Sequence, residues 1–299
     1  MRFSGHETFA CRYAWLPKGL RAISENPRIF SDEDAAMVEL GVGKNMVRSI
    51  RFWVEATGMA SASDSGLVPT ALGKQIFLDR GHDPFLEDIT TLWLLHWKLC
   101  SHEVPLLAWD FLLNLWQEPE FTEAGVLSEF KREVERQNRS ASEVTLQQHL
   151  DVFIHSYLPT GGRKSEVSED TLDCPLTELE LLLRVGERER EGVKRRETIY
   201  AFRRDNKSTL SPGLFAYTLN DFWERNFPNE KTLSVRTLGN AHGSPGQLFK
   251  IPETDLLTRL QELEESTEGA IRYSDSEALP QLHRAEPPSW KALLKAAYA

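Results

Sequence analysis

The sequence predicts a mainly α-helical protein with small β-hairpins, and three observations indicate this fold class. Apolar residues recur at helical spacing through most of the 299 residues. Runs of glycine, serine and proline separate the helical segments. Two aromatic-rich segments between residues 83 and 116 are apolar all round, which indicates helices buried on every side. We expect a winged helix-turn-helix domain at residues 1–82, a central helical domain at 83–160 and an α+β domain at 171–299.

The order of elements predicts the winged helix-turn-helix. Helical spacing over residues 12–25 and 32–40 is followed by a better-marked third helix over residues 43–57. In the next stretch, GMASASDSGLVP at residues 58–69, turn-forming residues separate short apolar ends, which predicts a hairpin. Short helices followed by a hairpin are the winged helix-turn-helix order, in which the last helix enters the DNA major groove.

The third helix carries the predicted DNA contact. At roughly 100° per residue, most of its apolar residues, among them Ile50, Trp53 and Val54, fall on one side and its cations on the other. Such cations and an asparagine bind phosphates and base edges. The alternative is the ordinary solvated face of an amphipathic helix. We therefore predict double-stranded DNA as a partner, bound by Lys44, Asn45, Arg48 and Arg51.

The formal net charge of −10 argues against a protein that coats nucleic acid, so a DNA contact needs a local basic patch. A second basic stretch lies within residues 188–207, where glutamates alternate with cations. Mixed signs favour an exposed, salt-bridged segment, and a second nucleic-acid surface is the alternative. Its candidate residues are Lys194, Arg195, Arg196, Arg203 and Arg204.

The last domain follows a polar break, PTGGRKSEVSED, at residues 159–170. Ser211 and Pro212 can begin a helix, and GNAHGSPGQLFKI at residues 239–251 is interpreted as a turn and a strand. An amphipathic helix follows at about residues 253–265. This pattern also fits a second, winged-helix-like unit.

Catalytic signals are scarce. The sequence has no phosphate-binding loop, dinucleotide fingerprint, HExxH motif or nucleophile elbow. In the segment SGHETF, His6 could act as a general base oriented by Glu7, or coordinate a metal. Alternatively, Ser4 and Thr8 cap a helix while His6 fills a polar niche, and we favour this interpretation because adjacent side chains rarely point at one reacting atom. No metal site and no cofactor are evident from the motifs.

The sequence predicts a cytoplasmic protein without a membrane partner. It has no run of about 18 apolar residues and no signal-peptide pattern. Cys11, Cys100 and Cys174 are too widely spaced for a disulfide framework or a zinc motif, which favours reduced, buried thiols.

Several segments together resemble a known bacterial family. They are FSGHETF, RYAWLPKG, LGVGKNMVRSIRFWVEATG, LLHWKL and SPGQLFKI, with YSD and QLHR near the end. They are similar to a family of unknown function whose members accompany DNA phosphorothioation genes. In the Ssp-type system the family member is the B component, a DNA-nicking protein. The resemblance covers nearly the whole chain.

The resemblance implies a DNA-binding protein of a sulfur-modification and defence system, which nicks or exposes one strand for sulfur insertion. Its implied partners are a cysteine desulfurase, an ATPase and a sulfurtransferase-like subunit, and a homodimer is left open. A divalent metal such as Mg²⁺ is implied if the protein nicks DNA. No catalytic set can be placed on this chain through the resemblance. The alternative is a non-catalytic DNA-binding adaptor or transcriptional regulator.

Overall fold

The fold is mainly α-helical with small antiparallel sheets, as predicted. The computed structural model describes residues 1–78, 80–159, 174–190, 193–275 and 279–299, without the side chains at 190 and 193–195. The chain forms two compact units, residues 1–111 with 117–202, and residues 112–116 with 203–299. Most of the predicted polar break, residues 160–170, lies outside the described residues, and the division into three domains stays a prediction.

The first unit begins with helices followed by a two-stranded antiparallel ribbon. Its elements are α1 (Trp15–Glu25), α2 (Glu33–Leu40), α3 (Lys44–Ala56), β1 (Ala60–Ser63), β2 (Gly66–Pro69) and α4 (Ala71–Phe77). The Asp32 side chain accepts a hydrogen bond from the Ala35 N–H and so caps α2, which ends at Gly41 in the left-handed conformation. The order of elements is the one predicted, but the winged helix-turn-helix assignment and a role in DNA binding stay predictions.

Close packing of α1 against α3 fixes the buried face of α3. A Cβ atom at Gly19 would lie 2.9 Å from Ile50 and 3.0 Å from Val54, so only glycine permits this approach. Ile50, Trp53 and Val54 are completely buried, as the helical spacing predicted. The opposite face of α3 is left to solvent.

The middle of the first unit is built from four helices, and the first two of them contain buried tryptophans. These helices are α5 (Ile89–Cys100), α6 (Leu107–Asp110), α7 (Glu123–Arg136) and α8 (Glu143–Tyr157). Nearly all of α5 is buried, which confirms the prediction made from its apolar sequence. Asp83 accepts hydrogen bonds from the backbone N–H groups of Glu87 and Asp88, so its carboxylate shapes the turn before α5.

The described part of the first unit ends in a three-stranded antiparallel sheet. Strands β3 (Glu120–Phe121), β4 (Leu182–Arg190) and β5 (Val193–Phe202) lie in the order β3-β5-β4. Phe121 stacks on Tyr200 across the β3-β5 pair. The ribbon formed by β4 and β5 carries much of the second basic stretch.

The second unit alternates helices with short strands. Its elements are α9 (Pro212–Asn226), β6 (Thr232–Ser234), α10 (Val235–Asn240), α11 (Pro245–Leu248), α12 (Glu253–Ser266), β7 (Ile271–Ser274), β8 (Gln281–Arg284) and α13 (Trp290–Ala297). The strands form one antiparallel sheet in the order β6-β8-β7. A helix, a strand, further helices and a two-stranded hairpin follow one another, and the winged-helix-like interpretation of this unit stays a prediction.

The strand prediction for residues 239–251 is wrong, because this stretch forms a helical turn. Ser244 accepts a hydrogen bond from the Gln247 N–H, and Pro245 occupies the first turn, where its missing N–H is not needed. Within the same unit the buried Lys250 ammonium donates to the Leu113 carbonyl, and the Gly243 N–H donates to Asn114 Oδ1 over 2.8 Å. The SPGQLFKI motif therefore anchors residues 112–116 in the second unit. Within the described ranges, every helix is too short or too polar to cross a membrane.

Candidate nucleic-acid interface

The outer face of α3 presents all four predicted DNA-binding side chains to solvent. Lys44, Asn45, Arg48 and Arg51 are exposed, whereas Val47, on the inner side, is buried. The periodicity of the sequence thus placed the four residues on one accessible surface. We call the outer side chains of residues 44, 45, 48 and 51 the basic face.

A carboxylate from α2 lies on the basic face. One oxygen of Glu33 is 2.6 Å from the Lys44 ammonium, and the other is 2.7 Å from Arg48 Nε. Hydrogen bonds from Lys44 and then Arg48 lower the pKa of the Glu33 carboxyl below its ordinary value. Arg51 pairs with Glu55 one turn along α3, at 3.6 Å. The cations are therefore paired with carboxylates when no nucleic acid is present.

A cleft of about 300 Å³ opens beside α3. The charged side chains that line it are Arg2, Glu33, Arg48, Arg51 and Glu55, and the Phe52 ring forms part of its wall. Neither Arg2 nor Glu33 is predicted from the sequence as a site residue. Arg2 precedes any periodic segment, and Glu33 has the usual position of an acidic residue in a first helical turn.

The SGHETF segment is a tight turn against α3 and does not cap a helix. Helix α1 begins only at Trp15, and its N-cap, Ala14, makes no side-chain hydrogen bond. The capping interpretation of Ser4 and Thr8 is wrong because Gly5, Glu7 and Thr8 have positive φ angles, which turn the chain away from a helix.

Two side chains of α3 hold this turn in place. Ser49 Oγ donates a hydrogen bond to the His6 carbonyl over 3.0 Å, and Trp53 Nε1 donates to the Phe9 carbonyl over 3.1 Å. The Phe9 N–H also donates to the His6 carbonyl, at 2.9 Å. The turn is therefore part of the support for the basic face.

His6 points into the core and stacks on a second buried histidine. Its ring is 5.2 Å from that of His149 in α8, centroid to centroid, and meets the Phe52 ring edge to face. His6 Nε2 lies 3.0 Å from His149 Nδ1. Burial, and then the Arg2 charge, lower the pKa of His6 to about 4. Burial also lowers the pKa of His149, followed by the effect of His6.

The hydrogen bonds of this pair leave no place for an additional proton. The backbone N–H of Ala108 donates to His149 Nε2 over 3.1 Å, so His149 carries its proton on Nδ1 and donates it to His6 Nε2. Neutral His6 then carries its own proton on the remaining nitrogen, Nδ1, so the 3.3 Å contact of Nδ1 with the Thr8 N–H is not a hydrogen bond in this arrangement. A third ring proton would put two N–H groups face to face. Both histidines are therefore neutral, and the packing part of the sequence interpretation agrees with this geometry.

Glu7 lies on a different side of the turn from the His6 ring. Its side chain is half-buried, and its charge is among the attractions that raise the pKa of Arg48, after the larger effect of Glu33. His6 faces α8 while Glu7 acts on the basic face. The two side chains therefore do not point towards a common place where they could act on one reacting atom. A catalytic role for either residue stays a prediction.

The second basic stretch is divided between the two units. In the first unit, Arg196 on β5 lies 3.8 Å from both Glu187 and Glu189 on β4, which is the salt-bridged arrangement favoured by mixed charges. In the second unit, Arg203 pairs with Asp205, and Arg204 is exposed. The side chains of Lys194 and Arg195 lie outside the described residues. Nucleic-acid binding by this stretch stays a prediction.

The helix before the hairpin of the second unit has the opposite charge to α3. The exposed acidic residues of α12 are Glu253, Glu262, Glu264 and Glu265, and its arginine, Arg259, is buried against Asp255. An acidic face repels phosphate. Both α3 and α12 precede a hairpin in the chain. Of the two helices, α3 has the positive charge that suits nucleic acid.

The described residues do not bring together three histidine, cysteine, aspartate or glutamate side chains that could hold a metal ion. Magnesium prefers carboxylate oxygens in octahedral geometry. Because magnesium is usually held by only one or two carboxylates together with water and substrate phosphates, we derive no reaction step through a metal.

The fold and the site define a class of mainly α-helical proteins with two compact units, in which a solvent-exposed basic helix stands before a β-ribbon. The chain belongs to the family described as protein of unknown function (DUF4007), whose model matches residues 3–298.

Two solved structures are similar to this chain over most of its length. They are a crystal structure of SspB and a magnesium ion-bound crystal structure of SspB. Each has 28% sequence identity and a TM-score of 0.84, and each comparison covers 98% of this chain and 85% of the SspB chain. A search of curated protein sequences gives no significant match.

The neutral histidine pair makes stability depend on pH. Because the folded-state pKa of His6, about 4, lies below the unfolded value of 6.5, its contribution is present above pH 6.5 and is lost as the pH falls towards 4. We expect His6 alone to lower the free energy of unfolding by on the order of 2–3 kcal/mol over that range, and His149 to add to this fall. Urea unfolding followed by tryptophan fluorescence at a series of pH values measures this.

His6→Gln removes one titrating ring and should flatten that dependence, whereas exposed His155→Gln should leave it as in the wild type. An equally steep pH dependence in His6→Gln would show that other groups cause it.

Proposed function

We propose that this protein binds double-stranded DNA through the basic face of α3, as a component of a bacterial DNA phosphorothioation system. The observation that carries the proposal is the arrangement of Lys44, Asn45, Arg48 and Arg51, which are exposed together while the other side of α3 is buried. Arginine and lysine bind phosphates, and arginine and asparagine also bind base edges.

The distribution of charge supports a localised contact. The chain has a net charge of −10, so binding by general attraction to nucleic acid is disfavoured. A basic helix on an acidic molecule restricts the contact to the surface that this helix presents.

Glu33 occupies the position that a phosphate would take. Its two carboxylate oxygens satisfy Lys44 and Arg48 in the way that two phosphate oxygens would. DNA binding then becomes an exchange, in which phosphate oxygens replace the carboxylate and Glu33 is released to solvent. Because the ion pairs with Glu33 must be broken, this exchange lowers the net free energy gained on DNA binding. It favours DNA positions at which a phosphate lies directly over α3.

The proposed role of this protein in a phosphorothioation system is based on its similarity to known proteins. The chain is similar to SspB over 98% of its length, and its motifs resemble the family that accompanies phosphorothioation genes. Sulfur insertion needs access to one DNA strand. We propose that this protein supplies that access alongside a cysteine desulfurase, an ATPase and a sulfurtransferase-like subunit.

Nicking of one strand is the finer part of the proposal, with Mg²⁺ as its cofactor because one of the SspB structures is magnesium ion-bound. A specific observation favours a second candidate, a DNA-binding adaptor without catalysis. The described residues lack a cluster of three metal-ligating side chains. Both candidates use the same basic face.

Charge reversal on α3 tests DNA binding. We expect Arg48→Glu combined with Arg51→Glu to abolish binding of a fluorescent duplex at moderate salt, because two phosphate contacts become repulsions. Fluorescence anisotropy measures binding, and far-UV circular dichroism should be unchanged. Lys131→Glu with Arg132→Glu, an exposed and likewise salt-bridged pair on α7, is the matched control and should bind as the wild type does. Unaltered binding by the α3 variant would exclude α3 as the main contact.

Removal of the competing carboxylate should strengthen DNA binding. Glu33→Gln frees Lys44 and Arg48 from their ion pairs, and we expect about two- to fivefold tighter binding at low salt, with the difference shrinking as salt rises. Glu129→Gln breaks a salt bridge of similar length on α7 and removes the same charge, so it controls for net charge. Equal gains in both variants, or weaker binding by Glu33→Gln, would contradict the exchange of carboxylate for phosphate.

Conversion of supercoiled plasmid to the open circle separates the two candidates. We expect purified protein with Mg²⁺ to produce open circles, and the Arg48→Glu, Arg51→Glu variant to produce none because it does not hold the DNA. Plasmid that remains supercoiled with wild-type protein that binds DNA would favour the adaptor.

A further inference from the structure

The cleft beside α3 contains an arginine that the fold holds in a fixed position. The Arg2 N–H donates to the Pro105 carbonyl over 2.8 Å, and the Arg2 carbonyl accepts from the Leu107 N–H over 2.9 Å. This bridge ties the backbone of Arg2 to the segment that leads into α6. The start of the chain thus brings a cation to α3 from a distant part of the sequence.

The Arg2 side chain lies in a narrow slot between Gly5 and Phe52. Its guanidinium carbon is 4.4 Å from the centroid of the Phe52 ring, a distance typical of a cation–π contact. A Cβ atom at Gly5 would lie 3.0 Å from Arg2 Nη2 and 3.0 Å from Phe52 Cδ2, and Gly5 has a φ of +107°. Glycine is therefore needed at this position, because a side chain would press on both walls of the slot.

The slot orients the guanidinium without using its hydrogen-bond donors. Within the described residues, the Arg2 side chain makes no hydrogen bond and no ion pair, and the ring of Phe52 contacts only its face. A guanidinium has five N–H donors at its edges. Partial burial lowers the pKa of Arg2, and the charges of Glu55 and Arg51 act on it with opposite signs. A half-buried cation with unused donors is able to bind an anion.

The charges around the cleft indicate which anion fits. Three arginines and two glutamates line it, which leaves one net positive charge. A phosphodiester has one negative charge and two free oxygens, and a guanidinium binds such a group with two parallel hydrogen bonds. The cleft opens along α3, so a DNA strand lying over Arg48 and Arg51 passes its mouth.

We propose that Arg2 binds a backbone phosphate of the DNA strand that α3 contacts, with Gly5 and Phe52 as the positioning residues. The inference rests on the proposed function, because it places a further contact on the same interface. It assigns to the SGHETF segment a role in recognition: the glycine of this segment makes room for the phosphate-binding arginine.

Substitution of Arg2 tests this contact. We expect Arg2→Gln to weaken binding of a short random-sequence duplex about tenfold at moderate salt and to reduce the slope of log binding constant against log salt by about one unit. Arg2→Lys keeps the charge but not the planar fork, so it should weaken binding while retaining the salt slope. Arg21→Gln is the matched control, because Arg21 also lies over a phenylalanine ring, that of Phe85, but does not line the cleft.

A second measurement uses the unaltered protein, in case Arg2→Gln does not fold. Phenylglyoxal modifies accessible guanidinium groups, and mass spectrometry of the digested protein reports each arginine separately. We expect the duplex to protect Arg2 from modification and to leave Arg21 unprotected. Inorganic phosphate at equal ionic strength should protect Arg2 weakly, because it lacks the neighbouring contacts of a strand.

The outcomes separate this inference from the proposed function. Equal modification of Arg2 with and without DNA, or an unchanged affinity and salt slope in folded Arg2→Gln, overturns the inference. If the Arg48→Glu, Arg51→Glu variant loses binding in the same assays, the proposed function stands without Arg2. If that variant also binds normally, both are overturned.

Discussion

The attachment of the SGHETF turn to α3 is the interaction on which the rest of the N-terminal site depends. Ser49 and Trp53 on the inner side of α3 donate hydrogen bonds to carbonyl groups of the turn. These bonds hold the turn in a conformation with positive φ angles at Gly5, Glu7 and Thr8, which the chain would not otherwise favour. Because the turn is fixed, the positions of three of its residues are fixed as well. Gly5 lies beside the cleft, His6 lies in the core and Glu7 lies near the basic face.

Polar groups in the core link this site to the helices behind it. The neutral pair of His6 and His149 joins the turn to α8, and the Ala108 N–H joins His149 to α6. Each of these buried nitrogens and N–H groups would lose free energy without its partner. The Phe52 ring contacts His6 on one side of α3 and Arg2 at the cleft, so one aromatic side chain connects core packing with the charged surface.

Periodicity predicted the helices and the basic face correctly, because a helix with one buried side has a regular pattern that needs no knowledge of its neighbours. The same reasoning failed for residues 239–251, where glycines suggested a turn and a strand but Ser244 and Pro245 begin a helical turn. Arg2 and Glu33 were missed because each reaches the site from another segment. Their importance comes from long-range contacts, which a local pattern does not contain. The family, by contrast, was recognisable from its motifs, since these record such contacts indirectly.

The close approach of α1 and α3 at Gly19 has an evolutionary consequence. The packing at Gly19 involves inner residues of α3, Ile50 and Val54, whereas positions 44, 45, 48 and 51 are exposed, and three of them form only surface ion pairs. Substitutions at those four outer positions therefore cost little folding free energy. The outer side of α3 can therefore change what it binds without loss of the packing that holds the helix in place.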